Sequence, residues 1–301
     1  MDYTTSFFTP PIDAVPQRVV SLVPSLTESL FDLGLGKSLV GATDYCAHPA
    51  EALKSIPRVG GTLNPRLENI IALQPDLVLA NQEENSPETL DALESAGLTL
   101  WVTFPKTVAQ SIEGLFGLVN IFRSDEAGKR VRILQMSLDW VQLASSDIPG
   151  LRTFCPIWQG ETPEGERWWM TFNQDTYAGD LLTLVGGHNV FADRREPATP
   201  QTISMAKDWG SRTAEAGTGR YPSVTLKEIR LAMPELVLLP SEPYTFGEDH
   251  RRELRELLAD TPAGRQDRFH LVDGSLLTWH GTRLGQALKE LPPLFASESY
   301  P

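Results

Sequence analysis

Apolar positions along this chain fall into short runs that alternate with segments whose apolar residues recur at helical spacing, and one such alternation occurs twice. Leu67-Glu-Asn-Ile-Ile-Ala-Leu-Gln-Pro75-Asp-Leu-Val-Leu79 is matched by Leu226-Lys-Glu-Ile-Arg-Leu-Ala-Met-Pro234-Glu-Leu-Val-Leu238 with no change in spacing. Each copy predicts a short amphipathic helix, stopped by proline, that runs at once into a buried strand. Proline stops the helix because it lacks the N–H and its ring clashes with the preceding turn. A helix feeding an apolar strand is half of a βαβ unit, and two copies predict two lobes of similar build. The same order of helix, Pro-acidic pair and strand is also common in α/β proteins at large.

The remaining pattern fills in both lobes. Arg18–Pro24 reads as a strand, followed by a helix in which Ser25 and Glu28 have capping-box spacing and Gly34 supplies the stop. Leu39–Thr43 is a strand, Ser86–Ala96 a helix with Pro87 at its first position, and Leu98–Thr103 another strand. Such alternation predicts a mostly parallel sheet covered by helices. From Ser124 to Ser146 the pattern becomes one long helix with an apolar stripe of Val131, Leu134, Leu138 and Leu143. The reading is therefore α/β, with two Rossmann-like lobes joined by a single long backbone helix and a ligand cleft between the lobes. The expected bounds are 1–123, 124–147 and 148–301. Ala192–Tyr221, rich in charge, Gly and Pro, reads as a long irregular loop.

Composition narrows the function. With 301 residues, 41% hydrophobic content and a mean hydropathy of -0.20, the chain has enough apolar material for two cores. A net charge of -13 argues against nucleic acid and anionic membranes as partners. No run is long and apolar enough for a bilayer. The N-terminal stretch has no cationic region, no signal-length apolar run and no cysteine, which predicts a cytoplasmic protein. A longer natural N-terminus would change that to periplasmic or extracellular. Cys46 and Cys155 have no metal-ligand spacing and read as buried thiols.

Several segments together resemble the periplasmic binding proteins for cobalamin and iron-siderophores. They are Arg18-Val-Val-Ser-Leu-Val-Pro-Ser-Leu-Thr-Glu28, Val40-Gly-Ala-Thr, Arg58-Val-Gly-Gly and the first repeat copy, with Leu184-Val-Gly-Gly-His-Asn-Val-Phe191 and Pro222-Ser-Val-Thr-Leu-Lys-Glu-Ile in the second half. The resemblance covers about residues 18–295. It implies two α/β lobes on a backbone helix, with a metal chelate held between them. It also implies one exposed glutamate per lobe that pairs with arginines of an ABC permease. Glu68 occupies the first such position, but Lys227 occupies the second, with Glu228 displaced by one. A lysine there would repel an arginine. The aromatics that flank a corrin in the cobalamin binders are replaced around Thr62–Leu63 and Asn81, and Tyr221 alone keeps one.

Ligands of α/β sheets collect beyond the carboxyl ends of the strands. The segments there offer aromatics for a flat, polarizable ligand: Tyr45, Trp158, Trp168, Trp169, Tyr221, Tyr244 and Trp279. Glu83, Glu84, Glu242, His48, His280 and Arg283 offer polar contacts. Each has a plainer reading: Trp168 and Trp169 as cover for a core, His280 as a hydrogen-bonded structural residue, Glu83 and Glu84 as a solvated loop. Two adjacent carboxylates with a distant His match no metal-site spacing, which leaves direct metal ligation open. The chain has no Gly-x-Gly-x-x-Gly after its first strand, no phosphate loop, no nucleophile elbow and no His-Glu-x-x-His. The expected function is binding without chemistry and without a required cofactor. The ligand would be a corrinoid first, a ferric siderophore or haem second. The alternative is a cytoplasmic tetrapyrrole- or metal-handling enzyme or chaperone, with His280 and Glu84 facing each other across the cleft.

Overall fold

A computed structural model describes residues 7–8, 12–145, 150–195 and 219–296. Two compact units emerge: Met1–Ser137 with Trp279–Gly285, and Leu138–Thr278 with Gln286–Pro301. The first holds a five-stranded sheet of β1 (Phe7–Phe8), β2 (Val19–Ser21), β3 (Leu39–Ala42), β4 (Leu77–Asn81) and β5 (Leu100–Thr103), in the order β1-β5-β4-β2-β3. All pairings are parallel except β1 with β5. Every residue of β4 is buried, as expected of a central parallel strand covered on both faces.

The second unit has a four-stranded parallel sheet of β6 (Leu151–Phe154), β9 (Gly187–Asn189), β11 (Leu236–Pro240) and β12 (Phe269–Val272), ordered β12-β11-β6-β9. Beside it lies an antiparallel sheet that helix-strand alternation did not anticipate. It comprises β7 (Trp158–Glu161), β8 (Arg167–Met170) and β10 (Ser223–Thr225), with β8 in the middle.

The sequence repeat is a structural repeat, and it extends further than the matched letters. Both copies form a six-residue helix, Leu67–Ala72 and Leu226–Leu231, and both bury one isoleucine completely, Ile70 and Ile229. Gln74 and Met233 each take a positive φ of 47° just before the proline. A residue before proline is excluded from continuing the helix, and the left-handed turn directs the chain into the strand. Two arginines then close the helix ends. Arg18 donates to the carbonyls of Leu73 and Gln74, and Arg152 donates to those of Ala232 and Met233. The acidic residue after each proline answers by accepting a backbone N–H: Asp76 from Gln17 and Arg18, Glu235 from Arg152.

Three local expectations change. The first helix spans Pro24–Asp32 with Val23 at its cap and no side-chain cap bond. Pro24 takes the first helical position because its missing N–H is not needed there, so Ser25 is inside the helix and Glu28 is not part of a capping box. The long helix spans Asp125–Ser145, and Ser146 lies outside the described residues. It buries Val131 and Leu138, but Leu143 is 69% exposed, because five residues beyond Leu138 the helix has turned well off the buried face. A further helix, Val108–Phe122, precedes it. The irregular loop expected over 192–221 falls mostly outside the described residues.

The helix Leu226–Leu231 starts with a true capping box. Thr225 accepts from the Glu228 backbone N–H at 3.4 Å, and the Glu228 carboxylate accepts from the Thr225 N–H at 2.8 Å. Thr225→Ala is expected to cost about 1 kcal/mol, read as a lower urea midpoint with an unchanged m value.

Candidate functional site

In the first unit the loop after β3 is built to present Tyr45. Thr27 and Thr43 hydroxyls lie 3.1 Å from the buried Cys46 sulfur, and Arg58 donates to the Thr43 and Cys46 carbonyls at 2.6 and 2.9 Å. Burial raises the Cys46 thiol pKa, so it stays protonated as a small apolar anchor. On this brace Tyr45 is 66% exposed, with its ring edge over Gly61. His48, also exposed, meets the half-buried Trp279 edge-on at 5.9 Å between ring centroids.

The turn after β4 is fixed by amide side chains. Asn85 accepts from the Asn81 backbone N–H at 2.8 Å and donates to the Thr62 carbonyl at 2.7 Å. Asn81 accepts from the Glu83 backbone N–H at 2.7 Å, and its amide nitrogen reaches Thr103 Oγ1 at 3.1 Å and His280 Nε2 at 3.2 Å. An amide nitrogen only donates, so His280 Nε2 is the acceptor and carries no hydrogen. Burial lowers the His280 pKa to about 4, which keeps the ring neutral at physiological pH. Glu83 and Glu84 are half-buried in this turn.

Trp279–Gly285 is fastened within the same unit. The Gly281 and Thr282 backbone N–H groups donate to the hydroxyls of Ser111 at 2.7 Å and Ser29 at 3.1 Å. Arg283 is only 7% exposed. Its Nε donates to Glu28 Oε2 at 3.0 Å, its Nη2 lies 2.8 Å from Oε1, and its guanidinium sits 5.3 Å from the Trp279 ring. The Glu28 pKa is raised, because burial outweighs the lowering effect of Arg283. Arg283 and His280 thus brace this surface from beneath, and His280 and Glu84 belong to one unit.

In the second unit, Trp158 and Tyr244 stand together. Their rings meet edge-on at 5.4 Å, and Tyr244 also touches Phe246 at 4.8 Å and His250 at 5.5 Å. Beside them a cavity of 380 Å³ is walled by Gln159, Glu161, Arg167, Tyr244, His250 and Glu253, among others. Arg167 pairs with Glu253, lies 3.9 Å from the Glu161 carboxylate and packs over the Trp169 ring at 5.4 Å. Tyr244 is among the sequence candidates, whereas Arg167, His250 and Glu253 are not.

Other expected contacts turn inward. Trp168 and Trp169 are 3% and 0% exposed, and Trp169 belongs to the core with Phe154, Val224 and Phe246. Tyr221 is buried, with the Arg220 guanidinium 5.8 Å from its ring. Glu242 is half-buried and accepts from Thr278 Oγ1 at 3.1 Å. Glu68 and Lys227 are exposed in the first turns of their repeat helices, and Glu228 pairs with Arg194 at 2.7 Å besides closing its cap. Among the described residues no group of three or more His, Cys, Asp or Glu could hold a metal ion, and no helix is long and apolar enough to cross a membrane.

Residues 19–273 match the family model described as periplasmic binding protein. The chain belongs to that family. A vitamin B12-binding protein of Vibrio cholerae serotype O1 is 25% identical over 260 residues, covering 85% of this chain and 83% of that protein. The crystal structure of the periplasmic vitamin B12 binding protein BtuF of Vibrio cholerae superposes with a TM-score of 0.73 at 21% identity, over 93% of this chain and 97% of that one. A periplasmic heme binding protein from Pseudomonas aeruginosa superposes with a TM-score of 0.66 at 25% identity, over 95% of each chain. The α/β architecture of parallel sheets and helices is thus that of the two-lobed periplasmic binding proteins. The family description and both solved structures are periplasmic by name, and nothing in them supports the expectation of a cytoplasmic chain.

Proposed function

We propose that this periplasmic binding protein family member is a substrate-binding protein for a small metal chelate, a corrinoid first and a ferric siderophore or haem second, held without chemistry. The observation that carries this reading is an exposed aromatic surface on a rigid polar frame. Tyr45 and Trp279 offer ring faces in the first unit, while Asn81, Asn85, His280, Glu28 and Arg283 fix the backbone beneath them. A neutral His280 whose Nε2 accepts from an amide is poorly placed for acid-base work. The vitamin B12- and heme-binding names of the relatives support the same ligand class.

Thermal-shift titrations with cyanocobalamin, cobinamide, haemin and a ferric siderophore test this directly. A ligand at about a hundred times its dissociation constant stabilises the native state by about 2.7 kcal/mol. A saturable rise in Tm with one chelate is the expected result. No rise with any of them at roughly hundred-micromolar ligand would remove the proposal. Given one ligand, Tyr45→Ala is expected to weaken binding about tenfold, the scale of one lost ring stack. Because Tyr45 is largely exposed, Tm of the free protein should hardly move.

Docking on an ABC permease, on this reading, leans on Glu68. Glu228 is engaged by Thr225 and Arg194, and Lys227 presents the opposite charge.

A further inference from the structure

The hydrogen bonds around Tyr244 can be assigned atom by atom, and one donor is left over. Arg167 Nη2 lies 3.0 Å from Gln159 Oε1; a guanidinium only donates, so this contact fixes which end of the Gln159 amide is oxygen. The other end, Nε2, then donates to the Tyr244 hydroxyl oxygen at 3.0 Å. On the opposite side, the Gly247 backbone N–H donates to His250 Nδ1 at 3.0 Å. That nitrogen therefore carries no hydrogen, and the neutral ring must carry it on Nε2, which faces the Tyr244 oxygen at 3.2 Å. The phenol oxygen receives two hydrogen bonds, and its own hydrogen has no acceptor among the described residues. It stands on the wall of the 380 Å³ cavity, with Trp158 stacked edge-on against the same ring.

The charges of the wall choose the acceptor. Arg167 is already matched by Glu253 and faces Glu161, and Asp249, also at the wall, pairs with Arg252. Carboxylates outnumber cations here, so an incoming carboxylate would be repelled, whereas a neutral carbonyl oxygen would not. We propose that Tyr244 donates its hydroxyl hydrogen to an uncharged amide carbonyl on the periphery of the ligand, and that the second unit thereby favours a carboxamide-bearing chelate over a carboxylate-bearing one. This rests on the reading of the chain as a chelate-binding protein and adds which member of that class it selects. Corrinoids of the cobalamin type carry peripheral carboxamides; haem carries propionates.

The test is calorimetric titration of the wild-type protein and Tyr244→Phe with cyanocobalamin and with dicyanocobyrinic acid, in which carboxylates replace the amides. Phenylalanine keeps the ring contacts with Trp158 and Phe246 and removes only the hydroxyl. Wild type should bind cyanocobalamin at least tenfold tighter than the acid. Tyr244→Phe should lose about five- to tenfold for cyanocobalamin, the scale of one hydrogen bond; the half-buried Gln159 and His250 donors it releases line the open cavity, so Tm of the free protein should fall by no more than a few degrees. Equal cyanocobalamin affinity in wild type and variant would overturn the assignment of Tyr244 and leave the chelate-binding reading intact. So would a drop in Tm without a change in affinity, which would mark the hydroxyl as structural. Absence of binding by any chelate to wild type would overturn the broader reading and this inference with it.

Discussion

Replacing Arg283 with methionine is expected to destabilise the protein by about 3–5 kcal/mol, the usual cost of removing one partner from a buried ion pair. Both side chains are largely out of water, at 7% for Arg283 and 13% for Glu28, and two N–O contacts of 2.8 and 3.0 Å join them. Methionine keeps an unbranched stem against Trp279 but leaves the Glu28 carboxylate buried without its counter-charge. Burial already raises the Glu28 pKa against the pull of Arg283, so losing Arg283 raises it further. The sign follows: a raised folded-state pKa favours the protonated form in the fold. The defect should therefore be largest at pH 8 and shrink as pH falls through the folded-state value. Adding Glu28→Gln should recover much of the loss at neutral pH. Urea midpoints of the two variants at pH 8 and pH 5 check this, and a single-variant cost below about 1 kcal/mol would put the pair in the class of surface bridges.

Why this pair escaped sequence reading is instructive. Arg283 reads as a polar contact for a ligand, and Glu28 as a capping residue. Their meeting depends on partners 255 positions apart in the chain, which no local pattern encodes. Arg167 escaped for a similar reason, since its partner Glu253 lies 86 positions away. His250 is six positions from Tyr244, but the cluster gains its meaning only when Gln159, 85 positions from Tyr244, reaches the same hydroxyl. The repeat was legible because it rests on local physics. An amphipathic turn, a residue forced left-handed before proline and a fully buried strand each leave a mark within a few positions. The arginines at 18 and 152 that close those helices were not legible, because each reaches carbonyls far along the chain.

The antiparallel sheet and the aromatics tell the same story at the level of faces. In β8, Trp168, Trp169 and Met170 are all buried, so the alternation that marks a half-exposed strand is missing. Consecutive tryptophans then look equally suited to a ligand or to a core. Tyr45, Trp158, Tyr244 and Trp279 were legible as candidates because they follow strands, and the first unit holds Tyr45 on a braced loop. Trp168, Trp169 and Tyr221 share their chemistry but point into the fold. Residue type selected the candidates, and only packing could sort them.

His280 carries the second large expectation, and it concerns pH. Its pKa is about 4 in the fold against an ordinary 6.5, because desolvation penalises the charged ring. Near neutral pH neither state binds the proton. Below about pH 6.5 the unfolded chain takes it up and the folded one does not, so stability rises with pH across this window. Falling from about pH 6.5 to about 4, the protein should lose about 3 kcal/mol through this residue alone, at roughly 1.36 kcal/mol per pKa unit. The Asn81 contact fits that sign, since its amide hydrogen points at the nitrogen that would have to accept the proton. Glu28 works in the opposite direction, gaining stability as it is protonated. The clean readout is therefore a difference: urea unfolding of wild type and His280→Gln at pH 7, 5.5 and 4. Glutamine can still accept from Asn81 but does not titrate, so the variant should show a slope shallower by about 3 kcal/mol over the window, while Glu28 and the surface acids cancel. Parallel slopes would mean that His280 is protonated in the fold, and that the frame under Tyr45 and Trp279 contains a buried cation instead of a neutral ring.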